Sequence, residues 1–356
     1  MFQNQLDDHR YGHVAVTWKD ATLIWGGCRN RMGFFDPSLV SCHLYGKWIQ
    51  KRTTGDVPSH SAFALVSVID DRLFAIGGCD KYFRNDYSVI YSLDLNTWVW
   101  TRMVAKGASP PTNNNAYSPV VYKGNIFIFG CFYSTNGEDN SRMFHYNITT
   151  NQWGHKCTIG DIPTRRRGHT TILSGDTVFL FGGNVENQGL NDLYIFDMVG
   201  LRWKLVHGPL SGDAFIDVVP KGRFAHTMTC INQSAAVVHG GVDSHWKMLG
   251  ECWVLDLNKA KQLHEPSSIW TLQSKSWSKR ALHAAVLEPI SRRLWLTNGI
   301  HLHSSAIQKM TVNVVPLKIL ATEIVVGVHG EGDPRLGQDK CPKRLKEEIE
   351  AHRNGI

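Results

Sequence analysis

Short apolar runs that end in glycine recur along the whole chain. Each run is rich in branched and aromatic residues and ends in Gly-Gly, or in a variant that differs at one residue, at spacings of 51 to 58 residues. The six copies are Ala21–Gly27, Arg72–Gly78, Asn125–Cys131, Thr177–Gly183, Ala235–Gly241 and Arg293–Gly299. A regular period of this length is typical of a repeat architecture. The pattern therefore predicts one repeat body rather than two separate domains.

The repeat from Arg166 to Trp203 is the most complete copy and predicts four strands. The turn sequence Ser174-Gly175-Asp176 joins the first two strands as a hairpin. An aromatic residue and a tryptophan lie seven residues apart at Phe196 and Trp203, and the spacing recurs at Tyr146 and Trp153. The strands are predicted over Thr170–Leu173, Thr177–Phe181, Asn191–Asp197 and Arg202–Leu205. Four short strands cannot bury both faces of their sheet, so the sheets must stack around an axis.

The composition supports a packed core and narrows the classes of partner. Hydrophobic residues make up 42% of the 356 residues, and the net charge of +7 is not concentrated in a long basic run, so we expect no nucleic-acid partner. There is no stretch of 18 consecutive apolar residues and no signal-peptide pattern, so we expect no membrane partner and a cytoplasmic and/or nuclear protein. The eight cysteines lack paired spacing and are expected to be free thiols.

Catalytic and metal-binding motifs are missing from the sequence. The 17 histidines form no HExxH pair, and neither GxSxG nor a phosphate-binding loop occurs. The glycine pairs follow strands and precede no helix. We therefore predict no catalytic residues, no metal site and no cofactor. A propeller enzyme is the weakest of the three hypotheses for the function.

A second recurrent element, Arg-x-x-His, precedes the first strand of four repeats. The copies are Arg10/His13, Arg166/His169, Arg223/His226 and Arg280/His283. In one interpretation both side chains tie neighbouring repeats together through backbone carbonyls. In the other, the arginines and adjacent lysines give one end of the molecule a positive field that attracts acidic groups.

The glycine pair and the aromatic spacing together resemble the kelch repeat, over residues from about 10 to 315. This resemblance implies an all-β fold, a six-bladed kelch β-propeller at residues 1–315 with a short C-terminal helical tail at 316–356. It also places the Arg-x-x-His loops around one mouth of the central channel.

The tail has its own pattern. Apolar residues at 317, 320, 321, 324 and 325 have helical spacing, and Pro342 begins a second predicted helix. The order of these segments resembles the two boxes that follow the propeller in kelch-domain substrate receptors of cullin-2 RING ubiquitin ligases. The resemblance implies binding of elongin B/elongin C and cullin-2. The residues that match the boxes are Leu317, Leu320, Ala321, Val325, Pro342 and Leu345.

The same resemblance implies a non-catalytic substrate-recognition subunit that binds a protein or peptide, such as a C-terminal degron, at the channel mouth. The candidate peptide-binding residues are Arg10, Arg167, Arg223, Phe224, Arg280 and Leu282. Relatives that bind a C-terminal diglycine carry arginines after the fourth glycine pair, whereas Asn184–Gly189 has none, so we do not predict diglycine binding. The alternative is a kelch scaffold or adaptor without ligase association.

Overall fold

The computed structural model of the protein describes only part of the chain. The described residues are 10–29, 33–34, 36–44, 47–59, 61–78, 87–107, 109–110, 118–129, 142–210, 217–275, 279–290, 292–297, 299, 310–313 and 326–328. They form an all-β propeller with two short helices. The prediction of an all-β propeller is confirmed.

Five blades are described with packed side chains on every strand, whereas the sequence predicts six repeats. Each blade is an antiparallel sheet whose strands follow one another in sequence from an inner to an outer strand. Blade 1 contains Val14–Trp18, Ala21–Trp25, Leu39–Leu44 and Lys47–Arg52. Blade 2 contains Leu65–Ile69, Arg72–Ile76, Val89–Asp94 and Val99–Val104. Blade 3 contains Ser118–Tyr122, Asn125–Phe129, Arg142–Asn147 and Gln152–Cys157. Blade 4 contains Thr170–Ser174, Thr177–Phe181, Leu193–Asp197 and Arg202–His207, and blade 5 contains Thr227–Asn232, Ala235–His239, Cys252–Asp256 and Trp270–Ser274.

A further sheet follows blade 5 and is called here the C-terminal sheet. Its strands are Ala284–Leu287, Arg293–Thr297, Met310–Asn313 and Val326–Val328. The domain boundary that we predict at 315/316 thus falls between two paired strands of this sheet. The helices predicted around Leu317 and Pro342 lie outside the described residues.

Several short strands and two short helices lie outside the four main strands of each blade. Thr54–Gly55 and Ile159–Gly160 add a parallel edge strand to blades 2 and 4. At this edge a side chain on Gly160 would lie 2.2 Å from the carbonyl oxygen of Trp203, so only glycine fits there. The remaining short elements are strands Arg10–Tyr11, Cys28–Arg29, Gly33–Phe34, Asn184–Val185 and Gln188–Gly189, and helices Leu257–Lys261 and Pro266–Ile269.

The seven-residue aromatic spacing has a direct structural cause. Phe196 and Trp203 are cross-strand partners, with ring centroids 4.7 Å apart, and Tyr146 and Trp153 repeat the arrangement at 5.5 Å. In blade 5 the two helices lengthen the connection, so the partner of Leu255 is Trp270. Such cross-strand pairs, which are aromatic in blades 3 and 4, stabilise the outer half of the blade.

The apolar core lies between adjacent blades. Clusters of buried side chains join blades 1 and 2, 2 and 3, 3 and 4, and 4 and 5, and a smaller cluster joins blade 5 to the C-terminal sheet. The inner strand of the C-terminal sheet contacts the inner strands of both blade 5 and blade 1. The cysteines among the described residues, at positions 28, 42, 157, 230 and 252, are free thiols as predicted.

Candidate functional site at the entrance of the propeller

The loops around residues 10–13, 61–64, 166–169, 223–226 and 280–283 lie at the end of the propeller where the inner strands begin, which we call the entrance. Backbone hydrogen bonds link these loops in sequence around the axis. The N–H of Phe63 donates to Gly12 at 2.7 Å, that of Gly12 to Leu282 at 3.1 Å, that of Leu282 to Ala225 at 3.1 Å, and that of Ala225 to Gly168 at 2.9 Å. We call these five residues the collar.

Every collar residue has a positive φ. Gly12 and Gly168 adopt this left-handed conformation at φ of 63° and 67°, which glycine does without strain. Phe63, Ala225 and Leu282 adopt it at 57°, 55° and 53°. A side chain in this region is disfavoured by roughly 1–2 kcal/mol, so the three residues are held there by the surrounding bonds.

The arginines of the Arg-x-x-His element are buried behind the entrance loops, and three of the four form hydrogen bonds with backbone carbonyls. These three guanidinium groups donate through Nη1 to the carbonyl oxygen of the first glycine of their own repeat. These contacts are Arg10 to Gly26 at 3.2 Å, Arg166 to Gly182 at 3.0 Å and Arg223 to Gly240 at 3.1 Å. The second glycine meanwhile donates its N–H to the next loop, as Gly183 does to the carbonyl of Arg223 at 2.9 Å and Gly299 does to that of Arg10 at 2.8 Å.

Two of these arginines are paired with carboxylates, the buried one of Asp192 and the half-buried one of Glu251. Arg166 donates to both carboxylate oxygens of Asp192, at 2.5 and 2.8 Å, and Arg223 donates to Glu251 at 2.5 Å. Such bidentate and charge-assisted bonds fix the guanidinium in one geometry. Burial lowers the pKa of Arg10 and of Arg280 to about 10, so both remain charged at neutral pH.

The histidines of the same element connect neighbouring sheets. Nε2 of His226 hydrogen-bonds to Oγ1 of Thr170 in blade 4 at 2.8 Å, and that of His283 to Oγ1 of Thr227 in blade 5 at 2.9 Å. The other two contacts join His169 to the carbonyl of Phe129 at 2.9 Å and His13 to Oγ1 of Thr297 at 2.8 Å. The interpretation that these histidines tie neighbouring repeats is confirmed, although three of the four partners are threonine hydroxyls rather than carbonyls.

A known protein family matches this sequence and has the same repeat. The family model described as the KLHDC2/KLHL20/DRC7 Kelch-repeats domain matches residues 2–183 and 116–301. The chain belongs to this kelch-repeat family. Propellers of the family are protein-interaction modules and generally non-enzymatic scaffolds.

Individual kelch relatives are distant in sequence. Kelch domain-containing protein 2 of Bos taurus is 24% identical over 286 residues, which cover 70% of this chain and 67% of the relative. Kelch domain-containing protein 3 of Homo sapiens is 29% identical over 213 residues, covering 55% of this chain and 54% of the relative. Host cell factor of Drosophila melanogaster is 25% identical over 323 residues, covering 82% of this chain but only 20% of the relative. The chain thus spans from a fifth to two thirds of the length of these relatives.

The six candidate peptide-binding residues divide into two groups on this kelch propeller. Arg10, Arg223 and Arg280 are buried, and Arg223 has no exposed area at all. Their guanidinium groups therefore lie behind the entrance surface. Arg167 is exposed, and Phe224 and Leu282 are half-buried.

One entrance residue was missed by the sequence reasoning. Trp246 lies in the loop between the second and third strands of blade 5, and its side chain is 64% exposed. Its ring meets that of Phe224 edge to face, with centroids 5.4 Å apart and an interplanar angle of 87°. The sequence contains one signal that could have pointed to Trp246: this tryptophan follows the glycine pair closely and does not occupy the tryptophan position of the repeat.

The described residues contain neither a metal-binding cluster nor a membrane-spanning helix. Within the described ranges, no three His, Cys, Asp or Glu side chains are grouped so that they could hold a metal ion. Over the same ranges, no helix has the length and apolar character needed to span a membrane.

Proposed function

We propose that the protein is the substrate-recognition subunit of a cullin-2 RING ubiquitin ligase. The observation that carries this proposal is the pair of box-like segments that follow the kelch propeller in the sequence, at Leu317–Val325 and Cys341–Leu345. Leu317 would insert into a hydrophobic groove of elongin C, with Leu320, Ala321 and Val325 beside it. Pro342 and Leu345 would contact cullin-2. These residues lie outside the described ranges, so the support comes from the sequence pattern.

We also propose that the substrate is a peptide bound at the entrance. The bonds of the collar and of the buried arginines hold this surface in one arrangement, and a preorganised surface loses little entropy when a peptide binds. Arg167, Phe224 and Leu282 are the predicted residues whose side chains reach the surface there. Arg10, Arg223 and Arg280 would act indirectly, by fixing the loops that carry the surface residues.

The C-terminal sheet would close the ring as a sixth blade. Three contacts support this part of the proposal: the bond between His13 and Thr297, the bond from Gly299 to Arg10, and ring contacts of Trp295 with His43 and Trp48 of blade 1 at 4.2 and 5.8 Å. All three connect the last described sheet to the first blade. Ring closure would cover the sheet faces that the first blade and the C-terminal sheet turn to each other.

Co-purification of the full-length chain with elongin B, elongin C and cullin-2 tests the ligase proposal. We expect the wild type to retain all three proteins and the double variant Leu317→Ala, Pro342→Ala to lose them, because truncating a central interface anchor costs about 2 kcal/mol or more. The matched control is Leu263→Ala, which removes the same atoms from an exposed leucine of blade 5.

Two results would contradict the ligase proposal. One is a wild type that retains neither elongin nor cullin-2, which would favour the scaffold alternative. The other is a double variant that retains both as well as the wild type does. We also propose that the protein is cytoplasmic and/or nuclear, and imaging of a tagged full-length chain would test this separately.

A further inference from the structure

The most exposed aromatic surface among the described residues is formed by Trp246 and Phe224. Trp246 is the one tryptophan in the described ranges whose side chain is exposed, and Phe224 supports it edge to face. A large exposed ring contributes more apolar area than any other side chain and commonly marks a binding surface.

The loop that carries Trp246 is locked in one conformation. Trp246 has a φ of 60°, a conformation that a bulky residue adopts only under constraint. Its N–H donates to the carbonyl of Asp243 at 3.0 Å, and the N–H of Asp243 donates to the carbonyl of Lys247 at 3.1 Å. Oδ1 of Asp243 also accepts from the N–H groups of His245 and Lys247, both at 2.9 Å. The indole is therefore presented to solvent by a rigid turn.

This turn is fixed to the entrance on two sides. The backbones of Val242 and Phe224 exchange hydrogen bonds of 3.0 and 2.9 Å. On the other side, Oγ of Ser244 accepts from the N–H of Gly189 in the short hairpin of blade 4 at 2.9 Å. The aromatic pair thus lies at the border of blades 4 and 5, next to the collar.

The charges around the pair are mostly positive. Arg167 is exposed and precedes Gly168, where an added Cβ would lie 3.3 Å from Cβ of Phe224. Lys247 is exposed and directly follows Trp246, and Lys221 is exposed at the start of the same loop as Phe224. Among the nearby acidic residues, Asp243 is occupied by its own turn and Glu186 is exposed at the hairpin tip. Among the described residues of these loops, three exposed cations outnumber the one exposed carboxylate of Glu186, which favours an acidic ligand.

We propose that Phe224 and Trp246 form a subsite for one aromatic or large aliphatic side chain of an acidic peptide, whose carboxylates lie on Arg167 and Lys247. The apolar side chain packs on the indole face and displaces water from it, while the carboxylates set the register of the peptide. This inference rests on the proposed function only in that a peptide binds at the entrance. It requires neither elongin nor cullin-2.

Selection of random phage-displayed peptides on the full-length chain provides the probe. The peptides enriched on the wild type are synthesised with a fluorescent label, and their binding is measured by fluorescence polarisation. We expect enriched sequences to share one aromatic or large aliphatic residue flanked by Asp or Glu, and their affinity to fall as salt is raised.

Trp246→Gly is the decisive variant because glycine suits the left-handed backbone at this position, so the ring is removed without adding strain. We expect it to weaken binding at least tenfold, and Trp246→Phe to restore part of the loss. Lys247→Glu and Arg167→Glu should each weaken binding and reduce its salt dependence. Val199→Ala removes an equally exposed apolar side chain from a turn of blade 4 and should leave the affinity unchanged.

Several outcomes would overturn the inference. These are enriched peptides without acidic residues, binding that Trp246→Gly does not change, and a dimer seen by light scattering that Trp246→Gly dissociates, which would make the surface a contact between two copies of this chain. The ligase proposal fails separately. Loss of peptide binding in Trp246→Gly with retained elongin co-purification supports the subsite, whereas failure of co-purification in the wild type leaves the peptide measurement intact.

Discussion

Three consecutive arginines of blade 4 show how strongly the position of a residue decides its role. Arg166 has no exposed side-chain area and donates to Asp192, Gly182 and Thr164. Arg167, the next residue, is exposed, and only its backbone pairs with Asn184. The sequence repeats one residue type three times, but neighbouring side chains in this loop lie in different surroundings. Arg166 therefore supports the fold, and Arg167 remains available to a ligand.

Arg166→Ala should lower the free energy of unfolding by about 3–5 kcal/mol, because it leaves the buried carboxylate of Asp192 uncompensated. Arg167→Ala is the matched control and should change stability by less than about 0.5 kcal/mol. Urea unfolding monitored by tryptophan fluorescence measures both. The double variant Arg166→Ala, Asp192→Ala should recover part of the loss. Equal effects of the two single variants would contradict the assigned roles.

At the scale of the strand, the glycine pair is a junction between blades rather than a simple strand end. The first glycine accepts from the buried arginine of its own repeat, and the second donates to the next loop. Both have positive φ, as in Gly182 at 64° and Gly183 at 104°. For Arg166 and Arg223, the interpretation that the arginine side chain ties neighbouring repeats is wrong, because each guanidinium reaches back to the end of its own second strand.

Gly182→Ala should be clearly more destabilising than Gly175→Ala, although the two glycines have nearly the same φ, 64° and 65°. A Cβ on Gly182 would lie 2.8 Å from the carbonyl oxygen of Arg223, whereas a Cβ on Gly175 meets nothing within 4 Å. Gly175→Ala should therefore cost only the backbone strain of about 1–2 kcal/mol. The extra loss in Gly182→Ala, measured by thermal and urea unfolding, reports the close approach of blade 5. Equal losses of stability in the two variants would contradict this prediction, because they would mean that the carbonyl of Arg223 moves away from the added methyl group at no cost.

The sequence predicts the parts of a blade that depend on local pattern. Period and turn chemistry identified the hairpin of Thr170–Ser174 and Thr177–Phe181, and the aromatic spacing identified the cross-strand pair Phe196 and Trp203. Helix Leu257–Lys261 was not predicted because five residues are too few for a helical period, and Asp256, which caps its N-terminus, is also a common turn residue.

The entrance could be predicted less completely, because it depends on contacts between distant residues. The exposure of Trp246 follows from the turn set by Asp243 and from packing on Phe224, and neither contact belongs to the repeat pattern. Similarly, Arg223 is buried where it bonds to Gly240, just after the second strand of blade 5, and to Glu251, just before the third. The motif identified the right loop, but it could not show which side chain of the loop faces solvent.

Across the whole molecule, buried histidines link sheets that share no backbone ladder. Burial and nearby arginines lower the pKa of all four: to about 3 for His13, to about 4 for His169, and well below the ordinary value for His226 and His283. The histidines are therefore neutral in the folded protein at neutral pH. A neutral imidazole can bond a hydroxyl or a carbonyl without the desolvation penalty of a buried charge.

This arrangement predicts a loss of stability in mild acid. In the unfolded chain these histidines take up protons as the pH falls through 6.5, whereas the folded state binds them only near pH 4 or below. The unfolded state thus binds more protons in this window, so the free energy of unfolding should fall with decreasing pH by up to roughly 1.4 kcal/mol per pH unit for each histidine. Above about pH 7.5, where these histidines are neutral in both states, they should contribute no slope. Urea unfolding between pH 7.5 and 4.5 measures the effect. His226→Gln should reduce the slope by about one proton, and His264→Gln, at an exposed position, is the matched control. A stability that is flat down to pH 4.5 would show that at least one of the histidine links opens and accepts a proton while the propeller stays folded.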